Sequence, residues 1–326
     1  MVTAIEPLLR EQLIDRRHKL EAAAEVFPRP DELRRLLDEV DAALQRMDKG
    51  AYGLCEVCFE PVETERLIAD PLTRFCLGHL TPNEQRALED DLNLAAQIQS
   101  ALLPKANQKF AGWEVAYHFQ PAGLVSGDYC DLINGEGQSL HFVLGDVSGK
   151  GVAASMLMAH LHAMFRTLVS INLPLEQMVE RASRVFCEST LPTQYATLVY
   201  GRADQSGTIE LCNAGHLPPL VVQDGKVASI AATGLPVGIF CSESFTVNRV
   251  HLRQGDTLFL YTDGLSESLD GTGNEYGADR LAKLLNENNH LSPDAIISLC
   301  KHELHTFAAG RSLKDDLTLM AIRRTE

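Results

Sequence analysis

Basic residues are scarce in this chain: 326 residues hold 29 lysines and arginines against 44 aspartates and glutamates, a formal net charge of −15. That balance argues against broad contact with a nucleic-acid backbone or an anionic membrane, because both select basic surfaces. The deficit reaches the N-terminal part, where residues 1–104 carry 12 basic and 20 acidic side chains. The opening MVTAIEPLLREQLIDRR lacks the apolar core and small-residue cleavage pattern of a signal peptide, and no apolar run approaches the length that spans a bilayer. Internal repeats and low-complexity tracts are also missing. These absences lead to the expectation of a cytoplasmic protein that touches neither membrane nor nucleic acid directly. Cysteines are few and uneven. Cys55, Cys58 and Cys76 cluster, while Cys130, Cys187, Cys212, Cys241 and Cys300 are scattered singly. The scattered ones read as small buried hydrophobes, and no disulfide is expected.

Carboxylate is what the chain has in abundance, in four motifs: SGDYCD from Ser126, LGDVSGKG from Leu144, LYTDGLSES from Leu260 and KDDLTL from Lys314. In three of them a carboxylate sits where an apolar β-type run meets a small-residue turn, and Asp315 and Asp316 stand just before such a run. A sheet scaffold delivers several aspartates to one point in this way. Gathered carboxylates repel one another unless a cation lies between them, and Mg²⁺ or Mn²⁺ suits oxygen ligands. The motifs therefore point to a metal-dependent hydrolytic site.

With 45% hydrophobic residues the chain can bury a full core and a second module. Residues 1–50 read as a helical hairpin, with one helix over 6–26, a break at FPRP (27–30), and a second helix from about Asp31 to Asp48. Leu33, Leu37, Val40, Leu44 and Met47 mark its apolar face. Residues 51–80 place Cys55 and Cys58, then Cys76 and His79, as two knuckles seventeen residues apart. Four N/S ligands in that spacing suit one tetrahedral Zn²⁺ with no open position, which is a structural site rather than a catalytic one. Residues 81–104 form a linker helix that starts on Thr81 and Pro82 and is stopped by Pro104. Leu88, Leu92, Ala95, Gln99 and Leu102 make a coiled-coil seam, widened by Leu94, Ile98 and Ala101. A stripe that wide predicts packing on the helix's own catalytic domain and on a second copy, giving a homodimer. From 105 to 326, short strands alternate with Gly-rich turns (EVAYHFQ, LHFVLGDV, ATLVYGRAD, TIELCNAG, LPPLVVQ, TLFLYTD, LTLMAIR). Helices are expected over 152–170, 174–189, 277–287 and 292–307. The class is α+β, with two stacked antiparallel sheets and helices outside.

In order and spacing, SGDYCD, GDVSGKG, NAGH, GLPVGIF, YTDGLSES and DDLTL resemble the SpoIIE-type branch of the metal-dependent PPM serine/threonine phosphatases, from roughly Asp90 to the C-terminus. YGxCxxC and the ERLxADPLTRFC run resemble the DksA/TraR type of zinc finger over about residues 6–80. The first resemblance implies an α-β-β-α sandwich holding two Mn²⁺ or Mg²⁺ ions. By motif, Asp146 would bridge both ions, the Val147 carbonyl would complete one shell, Asp263 and Asp315 would ligate the second metal, and Asp128 would act at or near the first. Such a pair of cations lowers the pKa of a shared water and stabilises the phosphoryl oxygens, so no covalent phosphoenzyme is needed. No cysteine stands in the Cys-x₅-Arg context of a thiol phosphatase. Lys150 and Gly151, at the start of a helix, are candidate phosphate binders. Asp131, Glu267 and Asp316 read as flanking residues that support the ligands from behind or are solvated, rather than ordering metal-bound water, His216 as part of a structural turn, and His160 and His162 as core or surface fillers. The chain departs from the family pattern at Ser126, at Cys130 and at His79, which replaces a cysteine common in the zinc fingers.

The expected function is dephosphorylation of Ser or Thr on a partner protein, which the resemblance makes an anti-sigma-factor antagonist of the STAS type. The alternative is an RNA-polymerase-binding zinc-finger regulator with the phosphatase fold as a regulatory appendage, and co-purification with RNA polymerase would single it out.

Overall fold

A computed structural model describes residues 2–26, 30–311 and 313–326. The chain divides into two compact units, Met1–Asp91 and Leu92–Glu326.

In the first unit, α1 (Val2–Val26) and α2 (Pro30–Asp48) form an antiparallel hairpin, fastened by Arg10 on Asp48 at 2.6 Å and Arg17 on Asp41 at 3.1 Å. Leu9 and Leu13 of α1 bury against Val40, Ala43 and Met47 of α2, and the same core takes in Tyr52, Cys55, Val62 and Leu67. Residues 27–29 of the FPRP break lie outside the described residues; Pro30 opens α2, where its missing N–H has no partner to lose. A short α3 (Thr64–Ala69) follows. Next, α4 (Pro82–Leu102) begins with reciprocal capping: the Glu84 carboxylate accepts from the Thr81 backbone N–H at 2.9 Å, and the Thr81 hydroxyl accepts from the Glu84 N–H at 3.3 Å. The boundary between the two units falls within this helix.

The second unit consists of β1 (Gln108–Phe110), β2 (Trp113–Gln120), β3 (Asp128–Asn134), β4 (Leu140–Val147), α5 (Gly151–Val169), α6 (Leu175–Ser189), β5 (Ala196–Ala203), β6 (Thr208–Ala214), β7 (Leu220–Gln223), β8 (Lys226–Ser229), β9 (Asn248–His251), β10 (Thr257–Tyr261), α7 (Asp263–Ser266), α8 (Ala278–Glu287), α9 (Pro293–Phe307) and β11 (Leu317–Arg324). One sheet runs β1-β2-β11-β10-β7-β8 and the other β3-β4-β5-β6-β9, and every strand pairing is antiparallel. Side-chain alternation sorts the layers. Leu140, Phe142 and Leu144 of β4 point between the sheets with Leu258, Leu260, Met320 and Ile322, whereas Val143 and Val147 point outward to Met158, Leu161 and Phe165 of α5. On the other side Phe259, Leu319 and Ala321 meet Leu281 and Leu285 of α8 and Ile296, Ile297 and Cys300 of α9. The result is the α-β-β-α sandwich.

Three findings depart from the sequence reading. Strands β1, β3, β8 and β9 were not among the expected ones; β3, the run DYCDLIN, was obscured by its two aspartates, although Cys130 and Leu132 face the inter-sheet core and Tyr129 faces α5. Cys187 and Cys241 are disulfide-bonded, with Cα atoms 5.3 Å apart across 54 positions of sequence. The pairing arises because the segment carrying Cys241 is drawn to β5, where Val237 and Ala196 exchange backbone hydrogen bonds at 2.8 and 2.9 Å. Finally, α5 is long and apolar enough to cross a bilayer by length and composition, yet its apolar face is part of the core over β3 and β4.

Candidate active site at the sheet ends

The four acidic motifs meet at one end of the sandwich. Asp128, the first residue of β3, stands opposite Asp146 near the end of β4. Asp263 opens α7 directly after β10, and Asp315 and Asp316 precede β11, which pairs with β10. Asp128 is buried; its Oδ2 accepts from the hydroxyls of Thr318 at 2.5 Å and Thr262 at 3.0 Å. These two threonines escaped the sequence reading, although each lies within three residues of a motif aspartate. Asp146 and Asp263 border an open cavity of about 340 Å³ with Glu267, Tyr195, His216 and Pro218.

Two glycines make room for this convergence. A Cβ on Gly127 would sit 3.0 Å from the Val147 carbonyl oxygen and 3.4 Å from Asp146 Oδ1, filling the cradle between the two. A Cβ on Gly264 would fall 2.0 Å from the Asp316 carbonyl, so only glycine lets α7 approach β11 this closely.

The electrostatics favour a bound cation. Burial pushes Asp146 up to about 7, with the charges of Asp263, Asp315 and Asp316 adding to the rise. Asp263 is raised by burial and by Asp315. Asp128 is raised well above the usual carboxylate range, first by burial, with Asp146 contributing and the Thr318 hydroxyl opposing. At about 1.4 kcal/mol per pKa unit, such shifts mean that protein groups alone do not satisfy several ionised carboxylates here. A hard divalent cation does, and the donor set, carboxylate oxygens plus the carbonyl that Gly127 leaves uncovered, fits Mg²⁺ or Mn²⁺.

The flanking residues take three different places. Asp131 is buried but faces α5, where Arg166 grips its carboxylate at 2.8 and 2.9 Å. Asp316 accepts from the backbone N–H groups of Ala122 and Gly127 at 2.8 and 2.9 Å and so anchors the 122–127 loop. Glu267 is exposed at the cavity edge. Lys150 pairs with Asp315 Oδ2 at 2.8 Å, and Gly151 is the first residue of α5 with φ 73°. His216 is buried and satisfied at both ring nitrogens: Nε2–H donates to the Tyr261 carbonyl at 3.1 Å and Nδ1 accepts from the Thr197 hydroxyl at 2.9 Å. It braces β5 against β10 behind Asp146 and Asp263.

In the first unit, the donor atoms of Cys55, Cys58, Cys76 and His79 all lie within 4.8 Å of one another, with Cys76 Sγ 3.3 Å from His79 Nδ1. Burial raises the Cys55 thiol, but the backbone N–H groups of Cys58, Cys76 and Val57 outweigh it and bring it down to about 6. The Glu63 carboxylate holds the second knuckle by accepting from the Leu77 N–H at 3.1 Å.

The profile of the family described as Stage II sporulation protein E (SpoIIE) matches residues 136–325, more than half of the chain. The chain belongs to the SpoIIE family. The matched stretch contains Asp146, Asp263 and Asp315, while Asp128 lies before it. Among relatives of this SpoIIE-type chain, Protein IcfG of Synechocystis sp. is 27% identical over 263 residues, covering 72% of this chain and 41% of its own length. The phosphoserine phosphatase RsbU of Bacillus subtilis is 24% identical over 251 residues, covering 74% of this chain and 72% of its own. The chain thus spans less than half the length of IcfG. In fold, it is similar to the SiaA-PP2C domain of Pseudomonas aeruginosa, with a TM-score of 0.65 at 18% identity, over 75% of this chain and 99% of that domain.

Proposed function

We propose that this protein is a metal-dependent phosphoprotein phosphatase that hydrolyses phosphoserine or phosphothreonine on a partner protein, an anti-sigma-factor antagonist of the STAS type. The observation that carries the reading is the convergence of Asp128, Asp146, Asp263 and Asp315 at one sheet end, where Asp146 and Asp263 border an open cavity and the carboxyl groups of Asp128, Asp146 and Asp263 are driven up by burial and neighbouring charge. Membership of the SpoIIE family and the similarity to a protein named phosphoserine phosphatase support it.

In this reading Asp146, Asp263, Asp315 and the Val147 carbonyl would hold two Mn²⁺ or Mg²⁺ ions. When bound, the ions supply positive charge for the phosphoryl oxygens and lower the pKa of the attacking water. Asp128, immobilised by Thr262 and Thr318, orients the groups around Asp146. Lys150, beside Asp315 at 2.8 Å, would add positive charge for a phosphate oxygen together with the Gly151 end of α5. The chain is organised as a hairpin (1–50), a zinc finger in which Cys55, Cys58, Cys76 and His79 bind one structural Zn²⁺ (51–80), a linker helix (81–104) and the phosphatase domain (105–326). The linker carries the dimer contact, supported by the exposure of Leu88, Leu94 and Ile98 on α4.

The test is hydrolysis of p-nitrophenyl phosphate and of a phosphorylated STAS protein, with and without Mn²⁺, beside Asp146→Asn. Turnover that requires the metal and vanishes in the variant supports the reading. Absence of both turnover and calorimetric Mn²⁺ binding in the wild-type protein overturns it.

A further inference from the structure

We propose that Gln99, on the linker helix, is a positioning residue that sets how tightly the acidic site holds its metal. The inference rests on the metal-dependent reading above and adds to it a residue outside all four acidic motifs.

Gln99 lies in the last turn of α4 and is 5% exposed, while Leu94 and Ile98 on the same helix are 55% and 56% exposed. Its amide makes a two-way pair with one residue: Nε2 donates to the Ser126 carbonyl at 2.7 Å, and Oε1 accepts from the Ser126 N–H at 2.9 Å. Ser126 belongs to no strand, so the glutamine replaces the ladder partner that a strand would have provided there. The effect passes directly into the site. The Ser126 hydroxyl accepts from the Asp128 N–H at 3.0 Å, and Gly127, between them, packs against the Val147 carbonyl and Asp146 Oδ1.

Gly127 has two other restraints. Its N–H donates to Asp316 at 2.9 Å, and its carbonyl accepts from the Val147 N–H at 3.3 Å. Asp316 is the immediate neighbour of one proposed ligand and Val147 is itself another, so both move with the site they restrain. Thr262 and Thr318 hold the Asp128 side chain, and Gln99 ties the Ser126 backbone, at the head of the segment, to the linker helix. The helix end is itself held, because Leu102 packs into the core over α5 and the Tyr117 hydroxyl donates to the Pro104 carbonyl at 2.5 Å. Gln99 is thus the hydrogen-bonded link from α4 through Ser126 to the Asp128 N–H. The chemistry also selects glutamine: one planar amide offers a donor and an acceptor to the paired C=O and N–H of Ser126. Ionised glutamate would set a second acceptor against that carbonyl, and methionine of similar length offers no N–H.

The bland reading is that the amide only satisfies two buried backbone groups. The two readings separate in a metal titration. Calorimetric Mn²⁺ binding and the Mn²⁺ dependence of p-nitrophenyl phosphate hydrolysis are measured for the full-length wild type, Gln99→Met, Gln99→Asn, and Gln97→Met as an exposed control on the same helix. The expected result is an Mn²⁺ dissociation constant raised about tenfold or more in both Gln99 variants, the size typical when a residue supporting metal ligands is lost. Saturating Mn²⁺ should restore most of kcat, and Gln97→Met should match the wild type. Gln99→Asn keeps the amide one methylene short, so it serves if the methionine variant does not fold. A dissociation constant within twofold of wild type in a folded Gln99 variant overturns the proposal even if that variant melts earlier. A wild type that neither binds Mn²⁺ nor turns over removes the metal-dependent reading and this inference together.

Discussion

Asp128 and Asp146 occupy the same register position on neighbouring strands β3 and β4 and meet face to face. Like charges directly opposite on one sheet face are destabilising, and here Asp263 and Asp315 add to the field around Asp146. The fold is thus strained electrostatically where the metal is proposed to bind, and that strain can be measured without any substrate.

Asp146→Asn should stabilise the metal-free protein while removing its response to metal. In EDTA at pH 8, urea unfolding is expected to show a gain of roughly 1–3 kcal/mol over wild type, a range that discounts the raised pKa for partial exposure. Added Mn²⁺ should raise the wild-type Tm and leave the variant unmoved. A variant that is less stable in EDTA would show that Asp146 is held by protein contacts rather than awaiting a cation.

His216 makes the fold sensitive to acid. Burial depresses its pKa to about 4 despite the opposing hydrogen bond to the Tyr261 carbonyl, whereas an unfolded histidine titrates near 6.5. Between those values the unfolded chain binds a proton that the folded chain does not, so this contribution is complete above about pH 6.5 and falls by roughly 3 kcal/mol as the pH drops to 4. The raised aspartates act in the opposite sense, so the comparison is between wild type and His216→Gln in EDTA. The wild-type advantage should shrink steadily from pH 7 to 4.5; parallel curves would mean that His216 is not held neutral.

The cysteine-histidine cluster predicts one zinc per chain by elemental analysis, lost in Cys55→Ser. Protons compete with zinc for the thiolates and for His79, so zinc should be retained at pH 7 and lost progressively on acidification. Because Cys55 sits in the same small core as Leu9, Leu13 and Val40, its loss should melt the helical hairpin, read as a drop in far-UV helicity. A zinc-free protein with unchanged helicity would count against a structural role.

Alkylation under denaturing, non-reducing conditions should label six cysteines, the free ones, and eight after reduction, with Cys187 and Cys241 as the difference. For a separation of 54 residues, the chain-entropy model puts the loss in Cys187→Ser at about 4 kcal/mol as a ceiling. Eight labelled thiols before reduction would show that the bond does not form in the purified protein.

Much of the sandwich was legible in the sequence because its central strands are continuous apolar runs, buried on both faces. LHFVLGDV, TLFLY and LTLMAIR have little else to become. Helices α5, α6, α8 and α9 were equally plain from their apolar period, whereas the four-residue α7 was not. Strand β3 was not, since its aspartates do different work: Asp128 turns inward to two threonine hydroxyls, and Asp131 turns outward to Arg166.

The sequence by itself determined which residue types this protein has for chemistry and roughly where its chain turns. Local composition sets strand, helix and turn, and four acidic turns separated by apolar runs imply a shared sheet end. Only the tertiary structure decided which polar groups serve one another. That Gln99 grips Ser126, that Thr262 and Thr318 hold Asp128, that Lys150 pairs with Asp315 and that Cys187 bonds to Cys241 are relationships between residues 27 to 190 positions apart. Such pairs leave no periodic trace in the chain, because the distance that matters to a hydrogen bond or a disulfide exists only after the layers have packed.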